Sequence, residues 1–132
     1  MEQLNKTTFI GGIILLILTI GLLFYASKVS GGPSKYDGFA QCLGQKGATF
    51  YGAFWCPHCQ KQKALFGKSK QYLPYVECST PDSRGQTPIC IERKITTYPT
   101  WYFGDTSSST GEISLSVLAE KTGCVLPTET VK

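Results

Sequence analysis

The chain has 132 residues and a formal net charge of +4, from 13 lysines and arginines against 9 acidic residues. That length allows one domain. The charge is mild, and part of it comes from Lys6, Lys28 and Lys35, which flank the apolar N-terminal stretch. No basic patch interleaved with aromatic side chains is present, so the sequence gives no indication of nucleic-acid binding. Its 6 cysteines are typical of an oxidising compartment.

Residues 9–26 form an uncharged apolar stretch. As a helix it would reach roughly 27 Å, enough to cross a hydrocarbon core, with Phe24 and Tyr25 near the interface. We predict an uncleaved signal anchor rather than a signal peptide, because the stretch is long and no Ala-x-Ala site follows it. Lysines on both flanks leave the orientation open. The cysteines therefore decide it: residues 1–8 are a cytoplasmic tail, and the globular domain lies on the extracytoplasmic side, periplasmic or extracellular, after a linker at 27–35.

The globular part begins with a helix predicted at 34–46, capped by Ser34 and ended by Gly47. Residues 48–53 are apolar and rich in aromatic side chains, which is typical of a buried strand. Good helix formers follow the strand, and this second helix should end at Gly67.

The second half of the domain alternates short strands and helices. This order predicts an α/β fold, a sheet covered by helices on both faces. We expect the domain to span residues 36–126 and to end in a tail at 127–132. The predicted elements are a strand at 75–78, a helix at 89–94 begun by Thr87 and Pro88, a hairpin of one strand after Pro99 and one near 111–113 joined by a loose polar connection at 104–110, and a helix at 114–122 capped by Ser114 and ended by Gly123.

A Cys-Pro-His-Cys motif lies at the junction of the first strand and the second helix. Pro57 suits the first helical position, where its missing N–H costs nothing. Cys56 then lies just outside the helix N-terminus, whose positive dipole end favours a thiolate. The spacing to Cys59 permits an internal disulfide. His58, the only histidine of the chain, can donate toward a sulfur anion.

The motif has other possible uses. Two cysteines at this spacing also form structural disulfides or half of a zinc site. Attachment of haem is excluded, because Gln60 stands where that motif needs a histidine.

The sequence Trp55-Cys56-Pro57-His58-Cys59 after a hydrophobic strand resembles the active site of thioredoxin-fold oxidoreductases. A second element agrees, because Tyr98-Pro99 matches the cis-proline that these proteins place at the start of a central strand, facing the two cysteines. The resemblance implies a compact thioredoxin-like fold that lacks the usual first strand. It also implies that Trp55, Pro57, Tyr98 and Pro99 line the substrate side of the cysteine pair.

Other parts of the sequence indicate a particular family within the thioredoxin-like proteins. Together with the motif, they are similar to the thioredoxin-like domain that is fused to bacterial vitamin K epoxide reductase homologues or stands free beside them. The similarity runs from about Tyr36 to Cys124, and it rests on residues 39–43, 50–60, 65–67, 75–78 and 98–101.

In that family the domain passes oxidising equivalents from a quinone-linked membrane enzyme to secreted proteins. The resemblance therefore implies a membrane-anchored thiol–disulfide oxidoreductase. In it, Cys56 forms a mixed disulfide with the substrate, Cys59 resolves that mixed disulfide, and His58 stabilises the Cys56 thiolate. The Pro-His pair is that of the strong oxidant DsbA, which favours an oxidase. This chain departs from the fused form, since it has one predicted membrane span and no quinone site or cofactor motif of its own. The implied partners are cysteine-containing secreted proteins and a vitamin K epoxide reductase homologue or DsbB-like membrane protein.

Four cysteines remain, and spacing alone leaves three connectivities open. A pair similar to Cys78 and Cys90 occurs in the family, so the resemblance implies a disulfide across the polar loop between them. Cys42 and Cys124 would then form the second bridge. An alternative is that Cys78 and Cys90 relay electrons to the Cys-Pro-His-Cys pair.

Two other functions remain as alternatives. The same fold serves reductases and isomerases, and sequence does not separate these from oxidases. The third possibility is a metal-binding or metal-delivery module using Cys56, Cys59 and His58, although we predict no metal.

Overall fold

The structure is a computed structural model that describes residues 2–29 and 32–128. Residue 1 of the predicted cytoplasmic tail, residues 30–31 of the linker and residues 129–132 of the C-terminal tail lie outside the described residues. The chain divides into two compact units, Met1–Pro33 and Ser34–Lys132.

The first unit contains helix α1, Glu2–Val29. Within it, the segment Thr8–Ala26 is long and apolar enough to cross a membrane by length and composition. A helix able to span a membrane is therefore confirmed, whereas its retention in the mature protein and the side on which the domain lies stay predictions.

The second unit is built on a four-stranded sheet with strand order β2-β1-β3-β4. β1 pairs in parallel with β2 and antiparallel with β3, and β4 pairs antiparallel with β3. The predicted α/β fold class is confirmed. The elements are α2 (Asp37–Gln45), β1 (Thr49–Gly52), α3 (Pro57–Ala64), a 3-10 helix (Gly67–Tyr72), β2 (Tyr75–Glu77), α4 (Pro88–Glu92), β3 (Thr100–Tyr102), β4 (Ser108–Thr110) and α5 (Leu115–Thr122).

The two faces of the sheet carry separate apolar clusters, because neighbouring residues of a strand point to opposite faces. Phe50 of β1 belongs to the larger cluster, where its ring stacks on Trp101 with centroids 4.9 Å apart. Side chains of α2, α3 and α5 complete that cluster. Tyr51, next along β1, lies in the smaller cluster with Cys90 of α4. The central strand is therefore buried from both sides, and its carboxyl end leads directly into the Cys-Pro-His-Cys motif.

Some of the predicted helix caps are confirmed and one is wrong. Ser114 caps α5 by accepting a hydrogen bond from the Val117 N–H at 3.3 Å, and Gly123 ends it with φ 71°. The predicted start of α2 is wrong: Tyr36 holds the cap position, and the Ser34 N–H donates to the carboxylate of Asp37 at 2.8 Å. Because that carboxylate bonds the backbone before the helix, α2 begins three residues later than predicted.

The second strand of the hairpin was also misplaced. β4 is Ser108–Thr110, inside the stretch predicted as a loose connection, and the prediction near 111–113 is wrong. Gly111 ends the strand with φ 89°, a conformation that suits glycine. After it the chain leaves the sheet, and Ile113 is buried in the larger cluster. The 3-10 helix at Gly67–Tyr72 was not predicted.

Two disulfides tie the second unit together. The bridge that we call the terminal disulfide joins Cys42 of α2 to Cys124 after α5. The one that we call the loop disulfide joins Cys78 after β2 to Cys90 of α4. Cys78 and Cys90 are fully buried, which favours a structural role over a relay that must meet other thiols.

Candidate active site

The cysteine pair lies where β1 passes into α3. Cys56 has extended backbone angles and occupies the cap position, and Pro57 is the first helical residue. The Cys56 N–H donates to the Ala53 carbonyl at 3.0 Å, which fixes the turn between strand and helix. Cys59 follows within the first turn of α3, and both cysteines are free thiols. The arrangement presents Cys56 at the positive end of the helix.

Cys59 is the enclosed member of the pair. It has no exposed surface, whereas Cys56 keeps 5%. Burial raises the pKa of the Cys59 thiol to about 12, and the neighbouring Cys56 adds to this rise. Gly52 makes room for the sulfur, because a Cβ at that position would lie 2.8 Å from the Cys59 Sγ. Cys59 is therefore held as a thiol, packed against Gly52 at the end of β1.

The loop before β3 faces the pair. The peptide bond between Tyr98 and Pro99 is cis, and the Cys56 Sγ lies 3.8 Å from the Tyr98 carbonyl, which accepts a hydrogen bond from the thiol. The rings of Trp55 and Tyr98 meet edge to face, with centroids 6.1 Å apart. The Trp55 indole N–H donates to the Ser79 hydroxyl at 2.8 Å. Trp55 remains half exposed, so the pair opens onto an aromatic rim.

The imidazole of His58 is bound to a carboxylate. Its Nδ1 lies 2.7 Å from Oε1 of Glu112, in the segment between β4 and α5. The hydrogen bonds of the described residues include none between His58 and a cysteine sulfur. The action of His58 on the Cys56 thiolate therefore stays a prediction.

A polar cluster lies behind Cys59. The carboxylate of Glu77 accepts hydrogen bonds from the Phe54 N–H at 3.1 Å, the Ser79 N–H at 2.9 Å and the Tyr75 hydroxyl at 2.7 Å. The Lys63 ammonium lies 3.3 Å from the centre of the Tyr75 ring. Glu77 thus fixes the backbone on which the motif begins, and Tyr75 joins this carboxylate to Lys63.

The charges of this cluster act on the buried thiol. Burial lowers the pKa of Lys63, and Glu77 opposes that change. Burial and the hydrogen bond to Glu77 raise the pKa of Tyr75. The positive charge of Lys63 lowers the pKa of Cys59, against the larger effect of burial. Lys63 is thereby the cation that stabilises a thiolate at Cys59.

Sequence reasoning missed the polar residues around the motif. Lys63 is one of these residues, although a residue four positions after Cys59 shares its helix face. Glu77 ends the strand parallel to β1, so its position at the carboxyl edge follows once that pairing is known. Glu112 gives no local signal, because it lies 54 residues from His58.

A metal site was one of the alternatives. Among residues 2–29 and 32–128, no group of three or more His, Cys, Asp or Glu side chains is placed to hold a metal ion.

The sheet with helices on both faces, the dithiol at a helix N-terminus and the facing proline loop agree with the thioredoxin-like fold that the sequence predicts. A scan against protein-family models gives no match. A thiol-disulfide oxidoreductase of Arabidopsis thaliana, LTO1, is 40% identical over 109 residues, which cover 79% of this chain and 29% of the plant protein. The chain thus spans less than a third of that relative's length.

Proposed function

We propose that this chain is a membrane-anchored thiol–disulfide oxidoreductase that donates disulfides to extracytoplasmic proteins. The observation that carries the proposal is the asymmetry of the cysteine pair: Cys56 at the helix N-terminus, and Cys59 buried one turn further on. Cys56 can form a mixed disulfide with a partner protein, and Cys59 can attack that bond and release the partner. The similarity to a plant thiol-disulfide oxidoreductase supports the same chemistry.

The reaction starts from the oxidised pair. A substrate thiolate attacks the Cys56 sulfur, the bond to Cys59 breaks, and Cys59 leaves as a thiolate that takes up a proton. The second substrate thiolate then attacks the substrate sulfur of the mixed disulfide and releases Cys56. Two electrons and two protons pass from the substrate dithiol to the pair. A thiol with a high pKa is a poor leaving group, so the Lys63 charge assists the first step by stabilising the departing Cys59 sulfur.

The rim of the site is suited to binding an extended peptide beside Cys56. Trp55 and Phe54 are exposed aromatic side chains, with exposed fractions of 51% and 44%. The Tyr98–Pro99 loop adjoins Trp55, with the two rings edge to face, and the Tyr98 carbonyl lies 3.8 Å from the Cys56 Sγ. A substrate cysteine at this rim would meet one sulfur of the pair and remain separated from Cys59.

The central test uses the oxidised chain and a reduced peptide with two cysteines. We expect the peptide to lose two hydrogens as the Cys56–Cys59 pair gains them, measured by mass spectrometry after acid quenching. Cys56→Ser should form no mixed disulfide. Cys59→Ser, first charged as a mixed disulfide between Cys56 and glutathione, should exchange with the peptide but not complete an internal cycle. Equal activity of both serine variants would contradict the proposed roles.

The apolar helix supports the membrane part of the proposal, in which α1 stays attached and the domain faces the extracytoplasmic side. Full-length protein should remain in membranes after carbonate extraction. A thiol reagent that does not cross membranes should label Cys56 in intact cells after mild reduction. A soluble product that begins after residue 26, or labelling that requires lysis, would contradict this placement.

The oxidised pair must be restored after each turnover, and we propose a quinone-linked membrane enzyme as the oxidant, of the vitamin K epoxide reductase or DsbB-like kind. Its own disulfide would accept the two electrons. In Cys59→Ser, the mixed disulfide at Cys56 cannot be resolved from within, so a pull-down should recover a polytopic membrane protein together with secreted substrates. The control is the double variant Cys56→Ser/Cys59→Ser. Secreted substrates alone, with the pair still oxidised in cells lacking such enzymes, would contradict the proposed partner.

A reductase is the second candidate, and one observation favours it. The contact between His58 and Glu112 directs the imidazole to a carboxylate instead of a sulfur. An imidazole so engaged contributes less to stabilising the reduced pair, and a less stabilised thiolate makes the couple more reducing. The reduction potential of the pair separates the two candidates.

A further inference from the structure

The carboxylate of Glu112 reaches the active-site imidazole from a distant part of the chain. The distance between His58 Nδ1 and Glu112 Oε1 is 2.7 Å, and the exposed fractions of the two side chains are 63% and 39%. That distance is typical of a charge-assisted hydrogen bond. Glu112 lies in the segment between β4 and α5, outside the Cys-Pro-His-Cys motif.

A buried clamp holds the backbone next to Glu112. Gln62, one helical turn after His58, is fully buried. Its Oε1 accepts a hydrogen bond from the Ile113 N–H at 2.6 Å, and its Nε2 donates to the Ile113 carbonyl at 2.9 Å. Ile113 itself packs into the larger apolar cluster. The fold therefore presents the Glu112 carboxylate to the first turn of α3, and the contact does not depend on a flexible loop finding the imidazole.

The contact opposes what a histidine does between two redox cysteines. An imidazole that donates to the Cys56 thiolate stabilises the reduced pair and makes the couple more oxidising. Here Nδ1 is taken by a carboxylate, and the negative charge of that carboxylate offsets positive charge on the ring as seen from the sulfur. Both effects reduce the stabilisation of the thiolate.

We infer that Glu112 is a positioning residue that draws His58 away from the Cys56 sulfur and so sets the reduction potential of the pair below what its Cys-Pro-His-Cys sequence alone would give. The inference rests on the proposed function, because it assigns a residue that tunes the same dithiol. Glu112 acts through His58 and has no predicted contact with substrate.

The reduction potential is measured with the full chain in detergent micelles, equilibrated with glutathione. Two glutathione thiols lose two electrons and two protons to form one disulfide, and the Cys56–Cys59 disulfide gains them as two thiols. We expect Glu112→Ala to raise the equilibrium constant for reduction of the pair about tenfold, which corresponds to about 30 mV for this two-electron couple. Glu112→Asp keeps the negative charge, so its equilibrium constant should lie close to that of the parent chain.

His58 provides the decisive comparison. His58→Ala alone should change the equilibrium constant less than about twofold, because the imidazole is already engaged. In His58→Ala/Glu112→Ala the tenfold rise should disappear. Glu120→Ala is the matched control, since it removes an exposed carboxylate from α5, and it should leave the potential unchanged.

Two results would overturn the inference: an equilibrium constant in Glu112→Ala within about twofold of the parent, or a rise that persists when His58 is absent. The second would assign the effect to lost charge or altered structure without the imidazole. A parent chain whose pair does not exchange with glutathione at all would instead overturn the proposed function. The two failures are thus distinguishable in one experiment.

Discussion

Alkylation of the reduced pair tests the difference between its two sulfurs. The thiolate is the form that reacts with an alkylating reagent, so ionisation sets the rate. Burial raises the pKa of Cys59 to about 12 from an ordinary value of 9.0. At pH 8 a thiol with a pKa of 12 is ionised in about one molecule in ten thousand, against about one in ten for the ordinary thiol. The ionised fraction of Cys59 is therefore about a thousandfold smaller than that of an ordinary cysteine. Because a more basic thiolate is also intrinsically more nucleophilic, we expect Cys59 to react roughly fiftyfold more slowly, before any further slowing by its enclosure.

The labelling rate of each cysteine is measured in a variant in which the other cysteine of the pair is replaced by serine. The pair is reduced under conditions that leave the terminal and loop disulfides intact, and iodoacetamide labelling is followed by peptide mass spectrometry from pH 6 to pH 10. In Cys56→Ser, the labelling rate of Cys59 should rise about tenfold per pH unit over that whole range without a plateau, because burial, the largest cause of the shift, remains. Cys56 in Cys59→Ser should react much faster at every pH. The same chains unfolded in urea should show equal rates.

The outcome that would refute this reasoning is specific. A plateau for Cys59 below pH 9, or faster labelling of Cys59 than of Cys56 near pH 6, would mean that the enclosed sulfur is the nucleophile. The roles of the two cysteines in the exchange would then be reversed.

Three further predictions concern the groups around the pair. Lys63→Met should raise the pKa of Cys59 and slow formation of the mixed disulfide at Cys56, seen by rapid quenching, whereas Lys68→Met, which changes an exposed lysine of the 3-10 helix, should not. Gln62→Leu leaves the buried N–H and carbonyl of Ile113 unpaired and should lower the free energy of unfolding by about 3 kcal/mol in urea titrations. Replacing an exposed glutamine by leucine should change it little. Loss of the terminal disulfide, which spans a sequence separation of 82, should lower the free energy of unfolding by about 4.5 kcal/mol. Loss of the loop disulfide, with a separation of 12, should lower it by about 3 kcal/mol. The reverse order in calorimetry or urea unfolding would contradict the chain-entropy account.

Local signals in the sequence predicted most of the elements. Pro57 at the first helical position, Ser114 at a cap and Gly123 after a helix each act within a few residues, so their effect is visible in the chain itself. β1 was predictable because it is apolar on both faces, as a central strand must be.

Elements that depend on distant partners escaped prediction. β4, Ser108–Thr110, is an edge strand with mostly exposed polar side chains, and only its pairing with β3 distinguishes it from a loop. The same holds for the site. Glu77 bonds the Phe54 N–H across 23 residues of sequence, and Glu112 meets His58 across 54. Such contacts follow from the topology of the sheet and not from the spacing of motifs.

The site divides into an enclosed half and an exposed half, and this division has a consequence for how its chemistry can change. Cys59 contacts Gly52 at the end of β1 and lies beside Lys63, so a substitution there alters packing as well as ionisation. His58 and Glu112 are exposed, and their contact adds little to the buried core. We expect changes at Glu112 to shift the reduction potential through His58 while leaving stability nearly constant. The direction in which the pair runs is therefore adjustable at the surface, independently of the packing that keeps Cys59 enclosed.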